Sequence, residues 1–170
     1  MLTDSKLQTL DSIFLAEYIA QKTGSMSHLK LQKLLFYVEA YHLAYFGESI
    51  INDEFEAWVH GPVSRKVYNA LKDFSILHAE IQYTKGNDEY TPMEIISNKI
   101  TKDQLMLIGD VLDSLGDKSA LELENFTHSE LPWIEARNGL HSADKSTRLI
   151  SKETMKNYYK EELYGEDAED

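Results

Sequence analysis

The stretch from Leu29 to Leu71, LKLQKLLFYVEAYHLAYFGESIINDEFEAWVHGPVSRKVYNAL, leaves the fewest options for a fold. Leu31, Leu34, Leu35, Val38, His42 and Tyr45 recur at the spacing of one helix face. Tyr37, Tyr41 and Tyr45 form a second stripe, one helical turn apart. Ser27 can cap the start of this helix, and Gly47 can take the left-handed conformation after its end. About 18 residues at 1.5 Å rise span roughly 27 Å, the width of a small domain. Apolar residues on more than one side place this helix at the centre, with other helices covering it. The tyrosines fit core packing with their hydroxyls at the edge, or a recognition surface where one end of each ring stays wet.

Beyond Gly47 the period changes. Phe55, Ala57 and Val59 alternate with Glu56, Trp58 and His60, which predicts an extended segment of about six residues. Gly61 permits a sharp bend, and Pro62 suits the first position of a helix. Val63, Val67, Ala70 and Leu71 then predict a helix from Pro62 to about Asp73. Arg65 and Lys66 fall in its first turns, beside the positive end of the helix dipole. Two cations there call for a nearby carboxylate or a partner surface.

The flanking chain reads as shorter helices. Asp11 or Ser12 caps a first helix, Ile13 to Lys22, whose apolar side is Ile13, Phe14, Ala16, Ile19 and Ala20. Ile81–Thr84 and Glu89–Thr91 around Lys85–Asp88 suggest a small β-hairpin or an unstructured insertion. Thr101 with Gln104, and Ser119 with Glu122, are capping-box pairs. They open a helix with Leu105, Ile108, Val111, Leu112 and Leu115 inward, and another with Leu121, Leu123 and Phe126 inward. Pro132 opens a short helix from Trp133 to Arg137. Ser151 caps a last helix, with Ile150 stapled to Met155 and Tyr158, Tyr159 and Leu163 on its apolar side. The fold class is therefore mainly α. It is a compact multi-helix domain, residues 1–164, around the central apolar helix, with one short extended segment and a small hairpin. Residues 165–170, GEDAED, read as an acidic disordered tail.

The net charge of −12 disfavours direct nucleic-acid binding, which depends on cations neutralising phosphates. It suits a basic partner reached with electrostatic help. With no cysteine, thiol catalysis and cysteine-ligated metals are excluded. No apolar run approaches a membrane span and the start lacks the form of a signal peptide, so the expected location is the cytoplasm.

No phosphate loop, dinucleotide fingerprint, zinc-protease motif or nucleophile elbow is present, and no cofactor is implied. His60, His128 and Glu130 could converge as a metal or acid–base site, or serve only as hydrogen-bonding groups at tight turns. The remaining unusual residues are Trp58, His60, Gly61, Pro62, Arg65, Tyr68, His128, Trp133 and Arg137. They fit buried anchors that define the turns, or a protein-binding face rich in Trp, Tyr and Arg.

These motifs resemble the Panacea domain, also called GepA-like or SocA-like. The pattern L-x-K-L-L-x-Y is met by Leu31, Lys33, Leu34, Leu35 and Tyr37. E-A-W-x-x-G-P-V is met by Glu56, Ala57, Trp58, Gly61, Pro62 and Val63, and V-Y-x-x-L by Val67, Tyr68 and Leu71. A later T-H-x-x-x-P-W-x-x-A-R is met by Thr127, His128, Pro132, Trp133, Ala136 and Arg137. Val38 and His60 depart from the usual residue types. The resemblance implies an antitoxin, not an enzyme, that neutralises a small protein toxin encoded by an adjacent gene. It implies as an alternative an adaptor that carries a toxin to the ClpXP protease, for which the acidic tail is a candidate contact.

Overall fold

The computed structural model describes residues 7–73, 80–81 and 92–169. Its central helix is α2, His28–Phe46. Ser27 Oγ accepts the Lys30 N–H at 3.2 Å, and Gly47 closes the helix at φ 78°. Leu31, Leu34, Leu35, Val38 and His42 are fully buried, as the stripe predicts. Each such leucine contributes roughly 2 kcal/mol of transfer free energy. Tyr45 is the exception at 56 % exposure: its ring lies edge-on to Phe46, away from the Tyr37–Tyr41 stack.

Covering α2 are α1 (Ser12–Thr23), α5 (Lys102–Leu115), α6 (Ala120–Ser129) and α8 (Lys152–Glu169). α4 (Pro92–Lys99) packs on α1, and α7 (Leu131–Ala136) bridges α6 and α8. Local chemistry starts these helices. Asp11 Oδ1 accepts the Ile13 N–H, and both capping boxes form, Thr101 with Gln104 and Ser119 with Glu122. Several expected inward residues point out. Phe14 is exposed because α1 turns Leu15 and Ile19 inward. Leu121 and Phe126 are exposed on α6, where Leu123 and Thr127 face the core instead, and Leu163 is exposed on α8.

α8 is held by packing and by charge. Ile150 and Met155 are both buried at its start, and Tyr159 lodges among Phe36, Tyr37 and Tyr41 of α2. Lys152 Nζ lies 2.7 Å from Oε2 of the fully buried Glu39, whose Oε1 accepts the Ile50 and Ile51 N–H groups. Burial raises the Glu39 pKa, and the Lys152 ammonium opposes that rise. Residues 165–169, expected as a disordered tail, continue α8 as helix to Glu169. Glu and Ala are good helix formers, and extending an existing helix avoids the cost of nucleation.

The extended segment is half of a β-hairpin, which corrects the expectation of a helix from Pro62. β2 (Phe55–Trp58) pairs antiparallel with β3 (Gly61–Ser64), matching Ala57 to Pro62 and Trp58 to Gly61. On the other side of β2, Ala57 N–H donates to Arg148 O and Ile150 N–H to Phe55 O. β3 is therefore the outer strand, where a proline without an N–H is tolerated. The helix that follows, α3, starts only at Arg65 and runs to Leu71, with Ser64 Oγ accepting the Val67 N–H. The hairpin expected over residues 81–91 lies outside the described residues, apart from Ile81. That residue belongs to β4 (Glu80–Ile81), which pairs with β1 (Met26–Ser27). Among the described residues, no helix is long and apolar enough to cross a membrane.

Candidate functional site

The β2–β3 turn gathers the unusual residues, so its fixation comes first. Val59 and His60 form the turn, and Gly61 follows at φ 121°, a backbone conformation that L side chains rarely adopt. A Cβ at Gly61 would lie 3.3 Å from Thr127 Oγ1 and 3.4 Å from Lys33 Cε. Behind β3, the Gln32 side-chain amide acts like another strand residue. Its Oε1 accepts the Ser64 N–H at 2.9 Å and its Nε2 donates to Ser64 O at 3.2 Å. The hairpin is thereby tied directly to α2.

A second layer braces the hairpin from α6 and α7. Trp133 Nε1 donates to Trp58 O at 2.8 Å. Arg137, only 5 % exposed, donates to Ala57 O at 2.9 Å and to Asp144 O at 2.7 Å, and its guanidinium lies 5.0 Å over the Trp133 ring. His128 stacks on the same Trp133 ring, with the two ring centroids 4.0 Å apart. Charge-assisted hydrogen bonds of this kind contribute about 1.5–3 kcal/mol each. Trp133, Arg137, His128, Gly61 and Pro62 therefore define and support the turn.

The outward layer is different. Trp58, Arg65 and Tyr68 form a ladder of ring and guanidinium, with Arg65 Cζ 5.1 Å from the Trp58 centroid and Tyr68 edge-on at 5.0 Å. Glu56 locks it. Its Oε1 accepts from Trp58 Nε1 at 2.9 Å and from Arg65 NH2 at 2.8 Å, and its Oε2 accepts from Arg65 Nε at 3.2 Å. Burial works against the Glu56 charge, but these donors outweigh it and hold its pKa below the ordinary value. The carboxylates called for by the first-turn cations of α3 are thus Glu56 for Arg65 and Asp11 for Lys66. His60, in the turn itself, is well exposed and faces α6, with Nδ1 3.0 Å from Glu124 Oε1. All nine singled-out residues meet around one hairpin.

Residues 31–134 match the family described as "Antitoxin SocA-like, Panacea domain". The chain belongs to this SocA-like Panacea family. The matched span holds the outward ladder and most of its bracing, and ends just before Arg137. Antitoxin SocA of Caulobacter vibrioides (strain NA1000 / CB15N) is similar: 29% identical over 137 residues, covering 78% of this chain and 73% of that protein. No solved structure matches the chain.

Two buried charges in this Panacea domain escape a reading of local pattern. Lys33 is 2 % exposed under the turn, where its Nζ donates to Leu29 O at 3.3 Å, and burial pushes its pKa down to about 8 against the pull of Glu124. Glu130 accepts the hydroxyls of Tyr37 at 2.5 Å and Tyr159 at 2.8 Å. Burial raises its pKa despite both bonds. Glu130 thus serves the α2–α8 contact. Of the three residues His60, His128 and Glu130, His60 pairs with Glu124, while Glu130 is bonded to Tyr37 and Tyr159. Among the described residues, no three His, Asp or Glu side chains could hold a metal ion. Lys33 carried a signal only as a motif residue, with no sign of its burial. Glu39 and Glu130 carried none, since their partners are remote in sequence.

Proposed function

We propose that this Panacea domain is an antitoxin-like binding protein. It neutralises a small protein toxin, encoded by an adjacent gene, by covering it with the outward face of Trp58, Arg65 and Tyr68. It acts by binding and not by catalysis. The observation that carries this reading is the Trp58–Arg65–Tyr68 ladder, pre-organised by Glu56 in front and by Trp133 and Arg137 behind. Trp, Tyr and Arg are the residue types that most often dominate protein–protein affinity, and rigid side chains lose little entropy on binding. The net charge of −12 favours encounter with a basic toxin over the whole molecule. The similarity to Antitoxin SocA supports a toxin as the partner class.

The test is affinity capture. The tagged full chain, purified from its native host at moderate salt, is expected to bring down one small protein in stoichiometric amount, identified by mass spectrometry as the adjacent gene product. A chain that stays alone while that product is present in the lysate contradicts the reading. Capture of a protease subunit with the toxin would instead assign delivery for degradation.

A further inference from the structure

Beside the ladder, α2, β3 and α3 enclose a pocket of about 170 Å³, lined by His28, Leu29, Trp58, Val63, Tyr68 and Lys72. Small-molecule and cofactor sites usually enclose about 300–1,000 Å³, so this one suits a single side chain. Its walls are rings. Tyr68 stacks on His28 at 5.5 Å and 22°, and meets Trp58 edge-on at 5.0 Å. The Gln32 side chain that also lines it is already committed. The Gln32 amide serves Ser64, and its Nε2 lies 3.1 Å from His28 Nε2. Burial lowers the His28 pKa, which keeps that ring neutral.

The rim carries one available charge. Arg65 is committed to Glu56 and Lys66 to Asp11, whereas exposed Lys72 has no ion pair among the described residues. Of the three cations from Arg65 to Lys72, only Lys72 lacks a carboxylate partner among the described residues, and Asp73 follows it in the chain. At the pocket itself the charged lining residue is Lys72, which favours an anionic group beside an apolar body over a cationic one.

We infer that this pocket seats one aromatic side chain of the bound protein, flanked by a carboxylate that pairs with Lys72. The inference rests on the proposed binding role of the adjacent face and names what that face selects. An acidic molecule that attracts a basic toxin at long range thus makes this anchoring contact through one lysine at the pocket rim.

Two small probes of matched shape separate the chemistry: indole-3-propionate, an aromatic carboxylate, and tryptamine, its cationic counterpart. Each is titrated into the full chain and followed by nuclear magnetic resonance. Indole-3-propionate is expected to shift the Leu29 and Val63 methyl signals and the Trp58 indole N–H, and to bind more tightly than tryptamine. Lys72→Glu, at an exposed position, should weaken it by about fivefold, the scale of one rim ion pair, and invert the preference. Leu29→Trp, which fills the pocket, should abolish both sets of shifts. No shifts at these residues, or equal or tighter binding of tryptamine to the unmodified chain, would overturn the inference. Toxin capture without probe binding would sink the pocket alone; probe binding without toxin capture would sink the antitoxin reading alone.

Discussion

Gly61 shows how a single residue without a side chain sets the position of the candidate site. Its φ of 121° strains any residue with a side chain, and Thr127 Oγ1, 3.3 Å from where a Cβ would lie, would have to give way. Gly61→Ala is therefore expected to destabilise the fold by about 1–3 kcal/mol, the range for a residue forced into such a conformation. Urea unfolding measures this, and an unchanged midpoint would contradict it. Lys33, directly beneath, makes stability depend on pH. Below pH 8 the folded chain carries the cost of burying its charge. Between pH 8 and the ordinary value of 10.5, the folded chain has released the proton while the unfolded chain still holds it. Stability should then rise with pH, by about 3 kcal/mol at most. Compared with Lys33→Met at each pH, the native chain is expected to gain stability across this window; a constant difference would contradict the assignment. Gly61 and the ladder residues stand out in the sequence because their types are unusual at a turn. The burial of Lys33 does not, because it is set by α6 and the hairpin closing over it.

Helices whose start depends on residues three apart were readable from the chain alone. Thr101 with Gln104 and Ser119 with Glu122 cap as expected, because both partners lie within one turn. The β2–β3 hairpin was not readable, because the same Gly-Pro pair serves a bend into a helix or an outer strand. The contacts that decide between them come from Gln32 and from residues 148–150, far away in sequence. Phe14, Leu121 and Phe126 were misplaced for a related reason: periodicity gives a helix stripe but not the rotation that its neighbours impose. α8 depends most on distant partners. Lys152→Met would leave the Glu39 carboxylate buried without its cation, and is expected to cost about 3 kcal/mol. The double variant Glu39→Gln, Lys152→Met should recover part of that loss. Unfolding curves with no loss in the single variant would show that Lys152 does not hold α8.

Taken whole, the molecule places one buried helix at its centre and one rigid hairpin at its surface. α2 forms the core and also reaches the site, since Gln32 ties down β3 while Leu31, Leu34 and Leu35 pack inward. The proposed binding face is thus an extension of the core, with little freedom to lose on docking. The most direct test compares the captured toxin's affinity for the native chain, Arg65→Ala, Tyr68→Ala and the control Met106→Ala, an exposed residue of α5. Melting temperatures are recorded alongside. Tyr68→Ala is expected to lose at least about tenfold in affinity, the scale of an interface hot spot, and Arg65→Ala to weaken binding with little change in melting temperature. Met106→Ala should bind as the native chain does. Native affinity in Tyr68→Ala and Arg65→Ala would contradict the assignment of this face to the toxin.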